Sequence, residues 1–243
     1  MSEFTSEVSA KEMLEAMEAQ QNDANRKFVS KFWSPKKEGV TKIRFISPLS
    51  SFNEKLYYLP YKVHYIGGRP FQCLSQTMVD KNGVLHEAEE CPACAKARKL
   101  FKIANKDKTS EEWKLALSIA AKERYVSRIV VRGLEDEEGH PCEPKAQFYE
   151  YGGKIYEIFL GALRLGECGE FYSLKNGRDF NLSKTGSGRN TDYSGSQLSM
   201  NSTPIFTDAA SINQLKENLK SMDYKQLIEF NTADEIKAAL DEM

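Results

Sequence analysis

Two of the chain's five cysteines, Cys91 and Cys94, are separated by two residues, and a C-x-x-C turn brings two thiolates within about 4 Å, a spacing suited to zinc at about 2.3 Å per Zn–S bond. A tetrahedral ion needs two more ligands. Cys73 lies upstream with His64 before it, giving His-x8-Cys-x17-Cys-x2-Cys. His86 stands between Cys73 and Cys91 and competes with His64 for the fourth position; spacing alone leaves both. Four protein ligands leave no coordination position for water, so the expected zinc is structural and holds an insertion on a sheet. A redox role for the pair would need a βαβ context, which is missing. Cysteine usage of this kind does not read as a disulfide framework, and Cys142 and Cys168 read as ordinary packed or loop thiols.

The second constellation is aromatic and basic. The chain carries 13 Phe, 11 Tyr and 2 Trp, and many tyrosines stand beside cations: Tyr61 next to Lys62, Tyr65 near Arg69, Arg124 next to Tyr125 with Arg128 following, Tyr149 and Tyr151 before Lys154. A ring that stacks on a nucleobase contributes about 1–3 kcal/mol whatever the base, and a neighbouring cation meets the phosphate. Such pairs point to single-stranded nucleic acid, although tyrosine is also a common strand former.

Overall charge is close to balanced, with 34 Lys and Arg against 35 Asp and Glu, but its distribution is uneven. Residues 1–25 carry six acids and one base, 26–46 seven bases and one acid, 91–132 eleven bases and four acids, and 205–243 four bases and eight acids. Acidic ends flank a basic middle that includes Lys96, Arg98, Lys99 and Lys122, a field able to attract a polyanion. No phosphate loop, G-x-S-x-G elbow or H-E-x-x-H helix is present, and the acidic runs Glu89-Glu90 and Glu135 to Glu138 read as solvated charge, so no enzyme is expected. Apolar runs such as Ile129 to Val131 and Ile158 to Leu160 are far too short to span a bilayer, and a soluble, cytoplasmic protein is expected. A zinc-dependent nuclease and a zinc-stapled protein adaptor are the rival readings.

These residues must be positioned by a mixed set of elements. Ser9 to Glu12 is spaced as a capping box and opens an N-terminal helix. Strands are expected at 40–47, 55–66, 124–131, 147–151, 169–174 and 180–184, with helical segments at 93–101 and 111–121. Residues 133–144 and 186–196 read as loops. A capping box at Thr232 to Glu235 starts a C-terminal helix. Several short strands with glycine turns suggest a small barrel.

Val63-His64, Cys73, Cys91-Pro92-Ala93-Cys94, the strand Tyr125 to Val131, and the segments Phe148 to Tyr156 and Asp179 to Tyr193 together resemble the single-stranded DNA-binding proteins of T-even-type phages. The resemblance runs from Phe32 to Met243, although the gaps between the ligands differ. Those proteins coat template strands during replication, recombination and repair. The resemblance implies an α+β fold with an OB-type β-barrel core, a zinc-binding subdomain and flanking helices, and a DNA cleft between barrel and subdomain. It implies His64, Cys73, Cys91 and Cys94 as ligands and Tyr125, Tyr149 and Tyr193 as base-stacking residues, while the last segment adds Lys184 and Arg189. An aromatic common in the family after the first of these tyrosines is Val126 here, and Trp113 is a loosely aligned substitute. The implied organisation is an arm over 1–25, a strand-binding core over 26–204 with the zinc subdomain at about 60–122, and a helical segment over 205–243. The cytoplasm of an infected host cell is the implied location, and replication or recombination proteins are implied partners. The family's basic arm, which drives self-association along DNA, is acidic here, and its long acidic tail has no counterpart beyond Asp241-Glu242-Met243.

Overall fold

The computed structural model of the chain describes residues 31–80, 82–133, 143–166, 168–227 and 229–243, with the side chain of Arg189 also outside the description. The expected N-terminal helix, Cys142 and most of the 133–144 loop therefore lie outside the described residues. Residues Phe32–Met243 form one compact unit.

β-branched and aromatic residues build a seven-stranded sheet, paired antiparallel throughout, from β1 (Gly39–Phe45), β2 (Tyr58–Ile66), β3 (Arg69–Gln72), β6 (Lys122–Arg132), β7 (Ala146–Tyr151), β8 (Gly177–Lys184) and β9 (Gln197–Thr203). The short strands β4 (Met78–Val79) and β5 (Leu85–His86) form a separate hairpin. The order is β3-β2-β6-β1-β8-β9, with β7 on β6. Strand β6 is the organiser. Val126 faces Leu59 on one side and Glu150 on the other, and Ile129 faces Phe45 and Gln147. One edge of β6 is thus given to β7, and the other is shared by β2 along its first half and β1 along its second. Among the described residues no pairing joins β3 to β9, so hydrogen bonds do not close the sheet into a ring.

Five helices flank the sheet among the described residues: α1 (Pro92–Ala104), α2 (Glu111–Ile119), α3 (Gly153–Leu165), α4 (Ala209–Leu219) and α5 (Ala233–Asp241). Their ends follow local chemistry. Proline at the first turn of α1 has no amide that needs a partner there, and Asn105 closes that helix in the left-handed region. Ser110 accepts from the Trp113 amide to start α2. Thr232 and Glu235 form the expected capping box of α5.

The core is aromatic. Phe45 lies within 4.5–6.5 Å, centroid to centroid, of Tyr57, Tyr149, Tyr151, Phe159, Phe171 and Phe180. Two arginines cross the interior and are fully paired, as buried cations must be. Arg44 donates to Asp179 at 2.9 Å, to the Ser173 and Thr203 carbonyls and to the Thr203 hydroxyl. Arg128 clamps Glu54 through both terminal nitrogens, at 2.8 and 2.6 Å, donates to the Met222 carbonyl and lies 3.9 Å from the centroid of Tyr224.

The expected elements fall close to those observed, but the short strands β3, β4 and β5 are absent from the sequence reading, and three further differences stand out. Residues 169–174 form turns rather than a strand: Gly169 takes a left-handed φ of 54°, Ser173 bonds back to Glu170, and Phe171 is driven into the core. Helix α3 escapes a strand-oriented reading because its aromatics and isoleucines look β-prone, yet Ile155, Ile158, Phe159 and Ala162 fall on one helical face. Strand β9 has only two apolar residues, Leu198 and Met200, whose alternation is too short to mark a strand, and the rest of it is polar. The expected C-terminal segment is helical but integral: α4 packs beside β6 and β7, and α5 enters the apolar cluster around the cysteines.

Candidate metal centre and nucleic-acid interface

His64, Cys73, Cys91 and Cys94 converge from three elements, their ligand atoms all within 4.8 Å of one another. His64 comes from β2, Cys73 follows β3, and Cys91 and Cys94 sit at the N-cap and first turn of α1, where the helix dipole favours thiolate. Cys91 Sγ lies 3.3 Å and Cys94 Sγ 3.6 Å from His64 Nε2, and Cys73 Sγ lies 3.6 Å from Cys94 Sγ. Sulfurs about 3.8 Å apart are what a tetrahedral ion at about 2.3 Å from each would require. The other ring nitrogen, His64 Nδ1, is 2.7 Å from the Ile119 carbonyl, the arrangement that leaves Nε2 free to ligate. A hydrogen bond from Cys91, opposed by burial and aided by Ser75, lowers the Cys73 thiol to about 7. Three thiols and an imidazole in the interior fit a soft or borderline divalent metal, and this cluster could bind one. His86 is elsewhere: its ring stacks on Phe230 at 3.8 Å and faces Asp80 at 3.2 Å. Spacing left two histidines open; geometry selects His64.

The aromatic and basic residues divide by sheet face. Directly opposed residues share a face in an antiparallel pair, so the pairings Tyr61↔Arg124 and Val63↔Lys122 place Tyr61, Lys122 and Arg124 together, with Tyr65 two residues on from Val63. Lys122 Nζ and the Arg124 guanidinium lie 5.3 and 5.8 Å from the centroid of the Tyr65 ring. Glu150 accepts from the Tyr61 hydroxyl and lies 3.9 Å from Arg124 Nε. Burial, then the neighbouring carboxylate, raises the Tyr61 phenol. These four residues form a partly exposed basic and aromatic patch.

Three nominated contacts are corrected by their burial. Arg128 is 0%, Tyr149 2% and Tyr151 3% exposed. The alternation of β6 turns Arg128 toward Glu54 and Tyr224, and β7 turns both tyrosines into the aromatic core, so none of the three presents a surface to DNA. The remaining candidates are scattered. Arg69 is exposed but bridges to Glu242 at 2.6 Å, and Lys96 donates to the Leu240 carbonyl, so α5 engages both. Arg98 and Lys99 are exposed on α1, Arg98 being 3.8 Å from Glu90. Lys184 donates to the Pro35 and Lys36 carbonyls, and Tyr193 is half-buried against the core. Trp113 packs edge-on against Phe101 in the α1–α2 hairpin, and Val126 is buried.

Tyr125 is half-buried, and its ring lies parallel to that of Tyr156, 4.2 Å away with 2° between the planes. Tyr58 meets both edge-on at 5.6 and 5.5 Å. Tyr156 stands two residues from Lys154 and Tyr58 three from Lys55, but neither is among the candidate contacts of the sequence reading; the helical spacing of α3, had it been read, would have put Tyr156 next to a core position.

Among the described residues no helix is long and apolar enough to cross a membrane. No curated protein matches the chain. The sequence model of one family, described as gp32 DNA binding protein like, matches residues 37–241, a stretch that contains the metal cluster, the basic and aromatic patch and all five helices. The chain therefore belongs to the gp32-like family of DNA-binding proteins.

Proposed function

We propose that the protein binds and coats single-stranded DNA with little sequence preference, without catalysis, during phage DNA replication, recombination and repair in the cytoplasm of the infected host. The observation that carries this reading is the family match over 37–241; the patch of Tyr61, Tyr65, Lys122 and Arg124 supports it, because it joins flat rings to cations. Tyr125, Arg98, Lys99, Lys184, Arg189 and Tyr193 complete the proposed contact set, and Arg69 and Lys96 join it when not held by α5. In this reading the bound ion is zinc and serves structure, since three thiolates and an imidazole fill a tetrahedral shell. Its chemistry is to tie β2, the turn after β3 and α1 together. The core is read as OB-type, a view favoured by the way β6 passes from β2 to β1 along one edge. The partition into arm 1–25, core 26–204 with zinc subdomain at about 60–122, and flank 205–243 belongs to the same reading.

Retention on a single-stranded DNA column, run at two salt concentrations with duplex competitor, tests it. Retention at low salt that resists duplex is expected. Flow-through at low salt would favour an adaptor that binds only proteins, and cleavage of a labelled strand with Mg²⁺ would favour a nuclease.

A further inference from the structure

The four residues of the metal cluster have outer partners of their own. On the imidazole side the Ile119 carbonyl lies 2.7 Å from His64 Nδ1. On the thiol side Ser75, two residues after Cys73, places its hydroxyl oxygen 3.0 Å from Cys73 Sγ. The same hydroxyl acts on Cys94, whose sulfur is 3.6 Å from that of Cys73. The turn that carries Ser75 is fixed at three points. The Cys73 amide donates to the Lys62 carbonyl at 2.9 Å, the Glu89 amide donates to the Leu74 carbonyl at 2.8 Å, and Gln76 Nε2 donates to the Pro60 carbonyl at 3.3 Å. Strand β2 and the segment entering α1 therefore set the backbone on both sides of Ser75, and only one side-chain torsion remains to aim its hydroxyl, although the residue is exposed.

Charge gives this contact a purpose. Three thiolates and a divalent ion together carry one net negative charge, and a largely buried charge is costly unless hydrogen bonds answer it. Backbone amides answer part of it: that of Ser75 acts on Cys73, and those of Leu74 and Cys94 act on Cys91. A thiolate can only accept, so in the metal-bound form the Ser75 hydroxyl donates and Cys73 Sγ accepts. Hydrogen bonds to ligating atoms orient the ligands and tune affinity for the metal. We infer that Ser75 is a positioning residue of the metal centre, whose hydroxyl holds the Cys73 and Cys94 thiolates in place and sets how tightly the ion is kept. The inference rests on the reading of the cluster as a zinc site and adds to it a residue outside the ligand set.

The test is metal competition on the full chain, with zinc titrated against a chromogenic chelator of known affinity. Ser75→Ala is expected to weaken zinc binding about 10- to 100-fold, and Ser75→Thr, which keeps the hydroxyl, to stay near the parent. Loaded with Co²⁺, the Ala variant should keep the visible bands of a tetrahedral site, because its ligands are unchanged. Its sulfur-to-cobalt charge-transfer band should move to lower energy, because a thiolate that loses a hydrogen bond gives up an electron more readily. If Ser75→Ala does not fold, Ser75→Thr and Ser75→Val, branched alike and differing by one hydroxyl, supply the comparison, with the Val variant expected to hold zinc more weakly. An Ala variant with parental affinity or an unmoved charge-transfer band, or Thr and Val variants that behave alike, would overturn the role of Ser75 while leaving the metal centre intact. An unaltered chain that takes up neither zinc nor cobalt would instead overturn the zinc reading itself.

Discussion

At the residue scale the outcomes turn on burial and on which partner each charged or ligating group keeps. His64 and His86 are alike in sequence but not in surroundings, so His64→Ala should abolish binding of one metal equivalent per chain, whereas His86→Ala should retain it; elemental analysis of the two purified variants distinguishes them. Arg128, taken from sequence as a DNA contact, is a structural cation. Removing it would leave Glu54, whose side chain is 12% exposed, as an uncompensated charge. Arg128→Ala should destabilise the fold by about 3–5 kcal/mol, read as a shift in the denaturant midpoint. Tyr149 and Tyr151 mislead for the same reason: a tyrosine beside a base in sequence says nothing about which sheet face it takes, and the face is decided by register with β6. The cysteine spacing, by contrast, was legible because a C-x-x-C turn fixes its own local geometry wherever it lies.

At the element scale, the strands and helices with strong local signals match the sequence reading: the tyrosine-rich and β-branched runs of β2 and β6, the small-residue helix after Cys91 and the capping box of α5. What could not be read is what tertiary packing supplies. Helix α3 is built from β-prone residues and is held by the core that its Ile155 and Phe159 enter. The turn at 170–177 is set by close backbone approach at Gly177, where a Cβ would collide with the Ser173 and Phe171 carbonyl oxygens. Gly177→Ala should therefore cost about 1–3 kcal/mol, measurable by thermal or denaturant unfolding. The docking of α5 is also tertiary. Ile236, Ala239 and Leu240 share an apolar cluster with Cys73 and Cys91, and Asn231 accepts from the Gln72 amide beside Cys73. Because metal binding is coupled to folding, chelation should loosen more than the ligand loops: amide exchange across 233–241 should rise when the ion is removed, while the aromatic core around Phe45 stays protected. Unchanged exchange in α5 would show that its packing is independent of the ion.

At the scale of the whole molecule, near-neutral net charge conceals a patch in which Lys122 and Arg124 flank Tyr65, with the Tyr125–Tyr156 ring pair on the other face of β6. The acidic C-terminal helix lies against α1 and the Cys/His cluster, where Glu242 and the Leu240 carbonyl occupy Arg69 and Lys96. Family membership and the metal cluster both follow from short sequence signals, while the division of work between the two sheet faces emerges only once the strands are in register. In the proposed function this arrangement grips unpaired DNA through both phosphates and bases. Its most direct test is the affinity for oligo(dT) measured across a range of salt concentrations for the unaltered chain and for Arg124→Ala. The expected result is a linear fall of log affinity with log salt, with a slope near −0.7 for each phosphate contacted, made shallower by about one contact in the variant. A flat dependence, or equal affinity for duplex of the same length, would contradict it.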